Sequence, residues 1–413
     1  MNVYSTNHPL IPNTGDYVRY KKIVSIHSED RNIIKYPLSS QFEIELPEEL
    51  TNIETVKLVS WSFPSNYDVF SVPNKNLVGT FKFTSVATIT DPTGSATVPF
   101  TDPYQNTLPE VYAILTANID HEYVIRISPG TYSPTQLAME LENLMNQAVE
   151  DFVYAEMVLS GYPGASDFLN GSTLYTGGYN GFSVVFNQVS HHMWFGNNTG
   201  QFTMTNTSQI ILRELEPLFC TFKSSPDFSN YGLPSNVGFD RTDSTAIPAE
   251  YPSEYRLNYT NYKVPLSQGG AGDWIYPSPL WNNGPIYYLK CPRKINLMGF
   301  SHFYMSIEGL NNINETYPYS LSTFTNTTNQ TNGRVDAAFA KISIPGLPLS
   351  MWFDSNVDGN YKYFDPPAER LRRLNITIRY HNGMLVDFET FNFTFCLEFT
   401  LLNGYISTKY KIR

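Results

Sequence analysis

The feature that most limits what this chain can fold into is an alternation near its C-terminal end. Phe391, Phe393, Phe395, Leu397, Phe399 and Leu401 fall on one side of a two-residue period, and Asn392, Thr394, Cys396, Glu398 and Thr400 on the other. A helix would scatter the six apolar residues around its circumference, whereas a strand with one face in a core keeps them together. A second run, Leu374, Ile376, Ile378 and Tyr380, precedes it. Between the two lies Asn382-Gly383, which tolerates the positive φ of a two-residue hairpin turn. The stretch from Leu374 onward therefore reads as a meander.

Shorter alternations recur at Phe42, Ile44 and Leu46; Tyr123, Ile125 and Ile127; Phe182, Val184 and Phe186; Phe303, Met305 and Ile307; and Ile342 with Ile344. Pro, Gly, Asn and Ser clusters such as Gly161 to Gly164 and Ser267 to Gly272 separate them as turns and loops. One helix has a start signal: Ser133 as N-cap, Pro134 at the first helical position and Gln136 three residues after the cap. Leu137, Leu141, Leu144, Met145 and Ala148 follow at helical spacing as a packing stripe. The expected fold is all-β: antiparallel jelly-roll-type β-sandwiches, two of them or one heavily elaborated, with one short amphipathic helix near 133–149. Along the chain this gives an extended N-terminal arm over 1–24, an N-terminal sandwich over 25–239, a linker or loop over 240–285 and a C-terminal sandwich portion over 286–413. The poorly patterned stretches Thr88 to Val111 and Asp240 to Gly284 are long for loops and are candidate contact surfaces.

Composition narrows the function. Aromatics make up 15% of the 413 residues, with 29 Tyr and 27 Phe, while charged residues make up only 16%, against about 25% in ordinary soluble domains. Such a chain covers much of its surface, within itself or against partners. Subtracting 38 acidic from 27 basic residues gives −11, which argues against direct nucleic-acid binding, since phosphate contacts need clustered Lys and Arg. No run approaches the roughly 20 apolar residues of a membrane-spanning helix. Met1 to Asp16 lacks the basic-then-apolar layout of an export signal. Cys220, Cys291 and Cys396 are odd in number and far apart, which suits reduced core thiols and a reducing, cytoplasmic folding site.

Motifs that carry chemistry are sparse. Asp354, Asn356 and Asp358, with Asp365 at the twelfth place, have the oxygen spacing of a calcium loop, but no helical context, and Pro366-Pro367 close the segment. An ordinary Asx-rich turn explains the same residues, and no other cofactor is suggested. Adjacent His191 and His192 would point to opposite faces of a strand, and no zinc spacing occurs. There is no nucleophile elbow or phosphate-cradling loop. Glu48-Glu49 follow Pro47 at what reads as a strand end, where a solvated turn is the simple account of a carboxylate pair. An enzyme is not expected.

Two segments point further. The first is Ser28-Glu29-Asp30-Arg31, then Tyr36-Pro37, the strand Phe42 to Pro47, and Asn52 to Leu58 leading to Phe63-Pro64. The second is Ala338 to Ile342, Glu369-Arg370-Leu371, Leu374 to Ile378, then Arg379 to Phe388 and Phe393 to Leu397. Together with Pro129-Gly130-Thr131-Tyr132 before the helix, these resemble the minor capsid proteins of large icosahedral nucleocytoplasmic DNA viruses, such as those of algae and amoebae. Here His381 precedes Asn382-Gly383 and Asn stands where Asp would be expected, a change that keeps the turn. The resemblance implies a non-catalytic jelly-roll shell component of the virion, assembled in the host cytoplasm. It would bridge or lock major capsid protein capsomers, with other minor capsid proteins or copies of itself as further partners. Asp30, Arg31, Tyr36 and Pro37 are its candidate interaction residues, with Asp30 and Arg31 forming either an intermolecular or a local pair. Met1 to Lys22 is expected to be an arm that orders only in the shell. A pentameric vertex protein of the same shell remains open, as does a carbohydrate- or receptor-binding sandwich using Trp194, Trp274 and Trp281.

Overall fold

The computed structural model describes residues 17–65, 68–72, 74–87, 102–205, 232–240, 242–249, 275, 286–316, 335–344, 350–354, 361–381 and 383–404. The chain forms two compact units. One joins Met1–Tyr67 to Phe300–Arg413, and the other is the intervening Asp68–Gly299. This division differs from the contiguous one expected at 24, 239 and 285. The reason is pairing over long sequence separation, which local patterning does not register.

The first unit is built on β2 (Gln41–Ser65). On one side β2 pairs with β17 (Thr394–Gly404), and on the other with β16 (Tyr361–Arg379) and β15 (Ser350–Asp354). β17 pairs in turn with β1 (Tyr17–His27), and β16 with β11 (His302–Ile307), which carries β14 (Ala340–Ser343). All seven strands are antiparallel, in the order β1-β17-β2-β16-β11-β14 with β15 also on β2. The expected C-terminal meander is therefore corrected. β16 and β17 are not neighbours, because β2 inserts between them and satisfies both ladders. The arm is corrected as well: Tyr17 to His27 form an edge strand in full register with β17, while Met1 to Asp16 lie outside the described residues.

Prolines mark where the long strands bend. Between the pairs Leu50↔Leu371 and Glu45↔Arg373, β2 inserts Leu46-Pro47-Glu48-Glu49 against Arg372 alone. Between Thr55↔Tyr363 and Ile53↔Ala368, β16 inserts Phe364 to Pro367 against Glu54 alone. Pro has no N–H to give a ladder, so it belongs in bulges, and bulges bend strands. The bent sheet brings residues of six strands and of the loops beside them into one cluster. At its heart the Phe63 ring lies 4.6 Å from Phe393, 4.9 Å from Phe303 and 5.9 Å from Phe388. The predicted stripe of Phe393, Phe395, Leu397, Phe399 and Leu401 is buried there, as are Leu374, Ile376 and Ile378. Phe391 is not buried, because the strand starts at Thr394. A small pair, β12 (Ile313–Thr316) and β13 (Val335–Ala338), completes the described part of this unit.

The second unit is a sandwich of two four-stranded antiparallel sheets. One is β4 (Glu122–Arg126), β3 (Val78–Val86), β7 (Gly200–Thr205) and β8 (Ser244–Thr245). The other is β5 (Phe182–Asn187), β6 (His192–Asn197), β10 (Tyr287–Lys290) and β9 (Ile247–Pro248). Phe182 joins them, its ring 5.1 Å from Phe81, 5.2 Å from Phe202 and 5.7 Å from Phe83. Part of the expected 240–285 linker is thus strand within this unit. Helices are also more extensive than an all-β reading allows: α1 (Leu108–Ala117), α2 (Pro134–Leu159), α3 (Ala165–Asn170) and α4 (Leu233–Val237). The fold is mainly β with a substantial helical share.

The capping box at Ser133 and Gln136 forms as its residues predict, but α2 runs ten residues beyond Val149. Leu137, Leu141, Met145, Val149, Val153 and Met157 are all buried at four-residue spacing. The neighbouring row explains why the helix lies where it does. Glu142 accepts from the Val184 N–H (2.7 Å), Asn146 bonds both the N–H and C=O of Phe182 (2.9 and 3.0 Å), and Glu150 accepts from the Tyr179 N–H (3.3 Å). The helix thereby satisfies backbone groups along the β5 edge that would otherwise invite another strand.

Burial raises the pKa of Glu142 above the ordinary carboxylate value, with the Val184 N–H opposing it more weakly. A carboxyl whose folded pKa is raised costs stability at neutral pH, and the cost fades as pH falls through that folded value. Glu142→Gln keeps an oxygen for Val184 and removes the charge. It should melt above the unmodified protein at pH 7 and lose that advantage by about pH 4; a lower melting temperature at pH 7 would mean the charged hydrogen bond outweighs desolvation.

Candidate interaction surface

The four candidate residues Asp30, Arg31, Tyr36 and Pro37 lie on one loop between β1 and β2, within the first unit. Their roles differ. Arg31 holds the loop from inside: Nη1 donates to Ser28 O (2.7 Å) and Asn392 Oδ1 (2.9 Å), Nε to Tyr36 O (3.1 Å), and Nη2 to Pro37 O (3.2 Å). A planar guanidinium with donors in a fixed fork suits this task, and Lys would not replace it. Ser28 anchors the base, its N–H donating to Phe393 O and its Oγ accepting from Phe393 N–H. Tyr36 Oη donates to Glu43 Oε2 (3.2 Å), with the Lys35 ammonium 4.8 Å from the Tyr36 ring centre. Hydrogen bonding from Tyr36 and then the charge of Lys35 lower the Glu43 pKa. Within the chain the partners of Arg31 are carbonyl and amide oxygens in place of Asp30, which is exposed in a single 3-10 turn.

The residues this scaffold presents are ones the sequence reading passed over. Ile34 is 98% exposed, Ile33 61% and Leu38 46%. The signal was available: two adjacent isoleucines flanked by Asn32 and Lys35 break the two-residue period, so a strand cannot bury both on one face.

Beyond the loop, the sheet carries ion pairs that tie β2 to β16 beside it and to β1 one strand further away. Arg372 meets Glu45 (2.6 Å), Arg373 meets Glu43 (3.4 Å), Arg370 meets Glu49 (4.0 Å) and Lys22 pairs with Glu48. The carboxylates Glu48 and Glu49 are therefore in a bulge inside β2, not at a strand end, and each faces a cation. Arg19 grips Glu54 with two bonds of 2.7 Å, holding the Glu54 pKa below its ordinary value.

A buried polar cluster lies elsewhere in this unit. Glu315, 5% exposed at its side chain, pairs with Arg379 and accepts from His381 Nδ1 at 2.8 Å. Arg379 also lies over the Tyr304 ring, 5.5 Å from its centre. Burial, and then the Glu315 charge, push the Tyr304 hydroxyl up, while burial and then Lys341 lower the pKa of His302. The arrangement joins the β12–β13 pair to the end of β16.

The remaining candidates are dispersed. Asp354 ends β15 and Asp365 lies exposed in the β16 bulge, while Asn356 and Asp358 fall outside the described residues. Strands, not helices, flank that segment. Among the described residues no three His, Cys, Asp or Glu groups come together as metal ligands. His192 Nδ1 donates to Cys291 O (2.6 Å), whereas His191 stacks on Phe186. Cys291 and Cys396 are free thiols, and burial pushes Cys291 up; Cys220 lies outside the described residues. Trp194 stacks on Tyr288 at 6.0 Å within its sheet, and Trp274 and Trp281 are outside the described residues. No described helix is long and apolar enough to cross a membrane.

No family model matches the chain, and no curated protein matches it. Among solved structures, the crystal structure of the penton protein of mavirus is similar with a TM-score of 0.37 and 8% identity, over 93% of this chain and 99% of that chain.

Proposed function

We propose that this protein is a non-catalytic structural component of an icosahedral viral shell, one that bridges or locks major capsid capsomers. The observation that carries this reading is the Arg31-held loop with Ile33, Ile34 and Leu38 displayed at its tip. A loop fixed by four side-chain bonds has little conformational freedom left to lose on docking, and exposed adjacent isoleucines gain by being covered. The low charge and aromatic richness of the chain suit a surface completed by neighbours. β1 adds a second docking element: Val18 and Tyr20 sit on the same side as the buried Val24 and Ile26 yet are exposed, on a strand whose single strand neighbour among the described residues is β17. The resemblance of residues 28–64 and 338–397 to minor capsid proteins of large DNA viruses points the same way.

Two experiments test it. Quantitative mass spectrometry of gradient-banded, salt-washed particles should find the chain at a fixed ratio below that of the major shell protein, and the copy number separates a bridging from a vertex position. Absence from particles would end the structural reading. The Ile33→Ser/Ile34→Ser double variant should unfold within about 0.5 kcal/mol of the unmodified chain, because both residues are exposed. It should enter particles at least about tenfold less, since burying one isoleucine is worth roughly 2 kcal/mol. Normal incorporation would place the contact elsewhere.

A further inference from the structure

The second unit contains a cavity of about 360 Å³, within the roughly 300–1,000 Å³ of small-molecule sites. Its walls come from Tyr104 ahead of α1, from α1, α3, the 174–181 segment and the turn after β6. Four tyrosines line it, Tyr104, Tyr112, Tyr175 and Tyr179, together with Asn180, Asn198, Thr176 and Thr199. No Asp, Glu, Lys, Arg or His is among the described lining residues.

We infer that this cavity is a binding site for an uncharged saccharide. The chemistry selects that class by elimination on two sides. A phosphate, nucleotide or acidic sugar would find no cation among the described lining residues, at a desolvation cost those walls do not offset. A purely apolar ligand would cover amide and hydroxyl groups without replacing their hydrogen bonds to water. A neutral sugar fits both halves: its C–H faces pack on tyrosine rings, and its hydroxyls exchange hydrogen bonds with Asn and Thr.

The site is also pre-formed. Tyr104 Oη donates to Gly178 O (2.7 Å), Gln105 Nε2 to Tyr175 Oη (3.0 Å), and Asn197 Nδ2 to Tyr179 Oη (2.8 Å). The Tyr104 and Tyr175 rings stack 6.0 Å apart at 25°. Gly178 makes the close approach possible: its φ is +82°, and a Cβ there would run into the Glu150 carboxylate. Burial pushes the Tyr104 hydroxyl up to about 12, so at physiological pH it remains a neutral donor. Rings held this way lose little entropy on binding.

Saturation-transfer NMR on the full chain, with methyl β-galactoside, cellobiose and diacetylchitobiose as neutral probes and N-acetylneuraminic acid as the acidic one, tests the inference. At least one neutral probe should bind. Tyr175→Ala, and independently Thr176→Trp at an exposed rim position, should each weaken it by about tenfold or more, while Tyr175→Phe retains binding. The result that overturns the site is no neutral binder, equal binding of the acidic sugar, or binding indifferent to both variants in chains that melt normally. The outcome is independent of whether the chain is found in viral particles.

Discussion

Replacing Phe63 with alanine is expected to cost about 4 kcal/mol of stability, the range for deleting a fully buried phenylalanine ring. Phe63 is 1% exposed and lies against three rings from two other parts of the chain, Phe303 in β11 and Phe388 and Phe393 just before β17. All three lie more than 200 positions from Phe63 in the chain but meet at this one side chain, so no single neighbour can move in to fill the space. Phe63→Leu, which leaves a smaller void, should cost less. The urea midpoint measures both. A loss below about 1 kcal/mol for the alanine variant would mean the cluster can collapse around the gap, and that the sheet is less rigid than its packing implies.

Glu315→Ala should cost about 3 kcal/mol by a different route. Arg379 is only 11% exposed at its side chain and would be left facing a void where its carboxylate had been. Removing one partner of a buried pair leaves an uncompensated charge, whereas replacing both with apolar groups of similar volume is often nearly neutral. The double variant Glu315→Met/Arg379→Met should therefore be more stable than Glu315→Ala alone, a reversal that simple loss of contacts would not produce. Hydrogen exchange should show the β12–β13 amides losing protection first in the single variant. If the double variant is the less stable of the two, the cluster's further bonds, Arg379 to Tyr380 O and Ala337 O among them, matter more than its charge balance.

Local patterning was legible in this sequence, and partner choice was not. The alternation in Phe393 to Leu401 predicts a strand whose apolar side is buried, because the two-residue period acts within a dozen residues. Ser133, Pro134 and Gln136 likewise predict a capped helix start, since the capping groups are neighbours in the chain. The sequence reading stops that helix short because Val153 and Met157 continue a buried row whose helix is covered by strands and helices that lie elsewhere in the sequence. The Asn382-Gly383 pair, whose Asn382 lies outside the described residues, predicts a hairpin turn, but the strands on either side do not pair with each other, and β2 takes the place between them.

The candidate interaction loop divides in the same way. The sequence groups Asp30, Arg31, Tyr36 and Pro37, and the structure sets them on one loop. That Arg31 holds the loop while Ile33 and Ile34 face outward depended on carbonyl oxygens converging from Ser28, Tyr36 and Pro37 and on Asn392 arriving from the far end of the chain. The sequence by itself determined the strand periods, the helix start, the proline positions where long strands must bend and the scarcity of charge. Only the tertiary structure decided that β1 and β17 share one sheet although the residues of the second unit lie between them in sequence, and which side chains stay exposed. The physical reason is that backbone conformation and alternation are properties of adjacent residues, whereas pairing and burial depend on segments brought together only when the whole core closes.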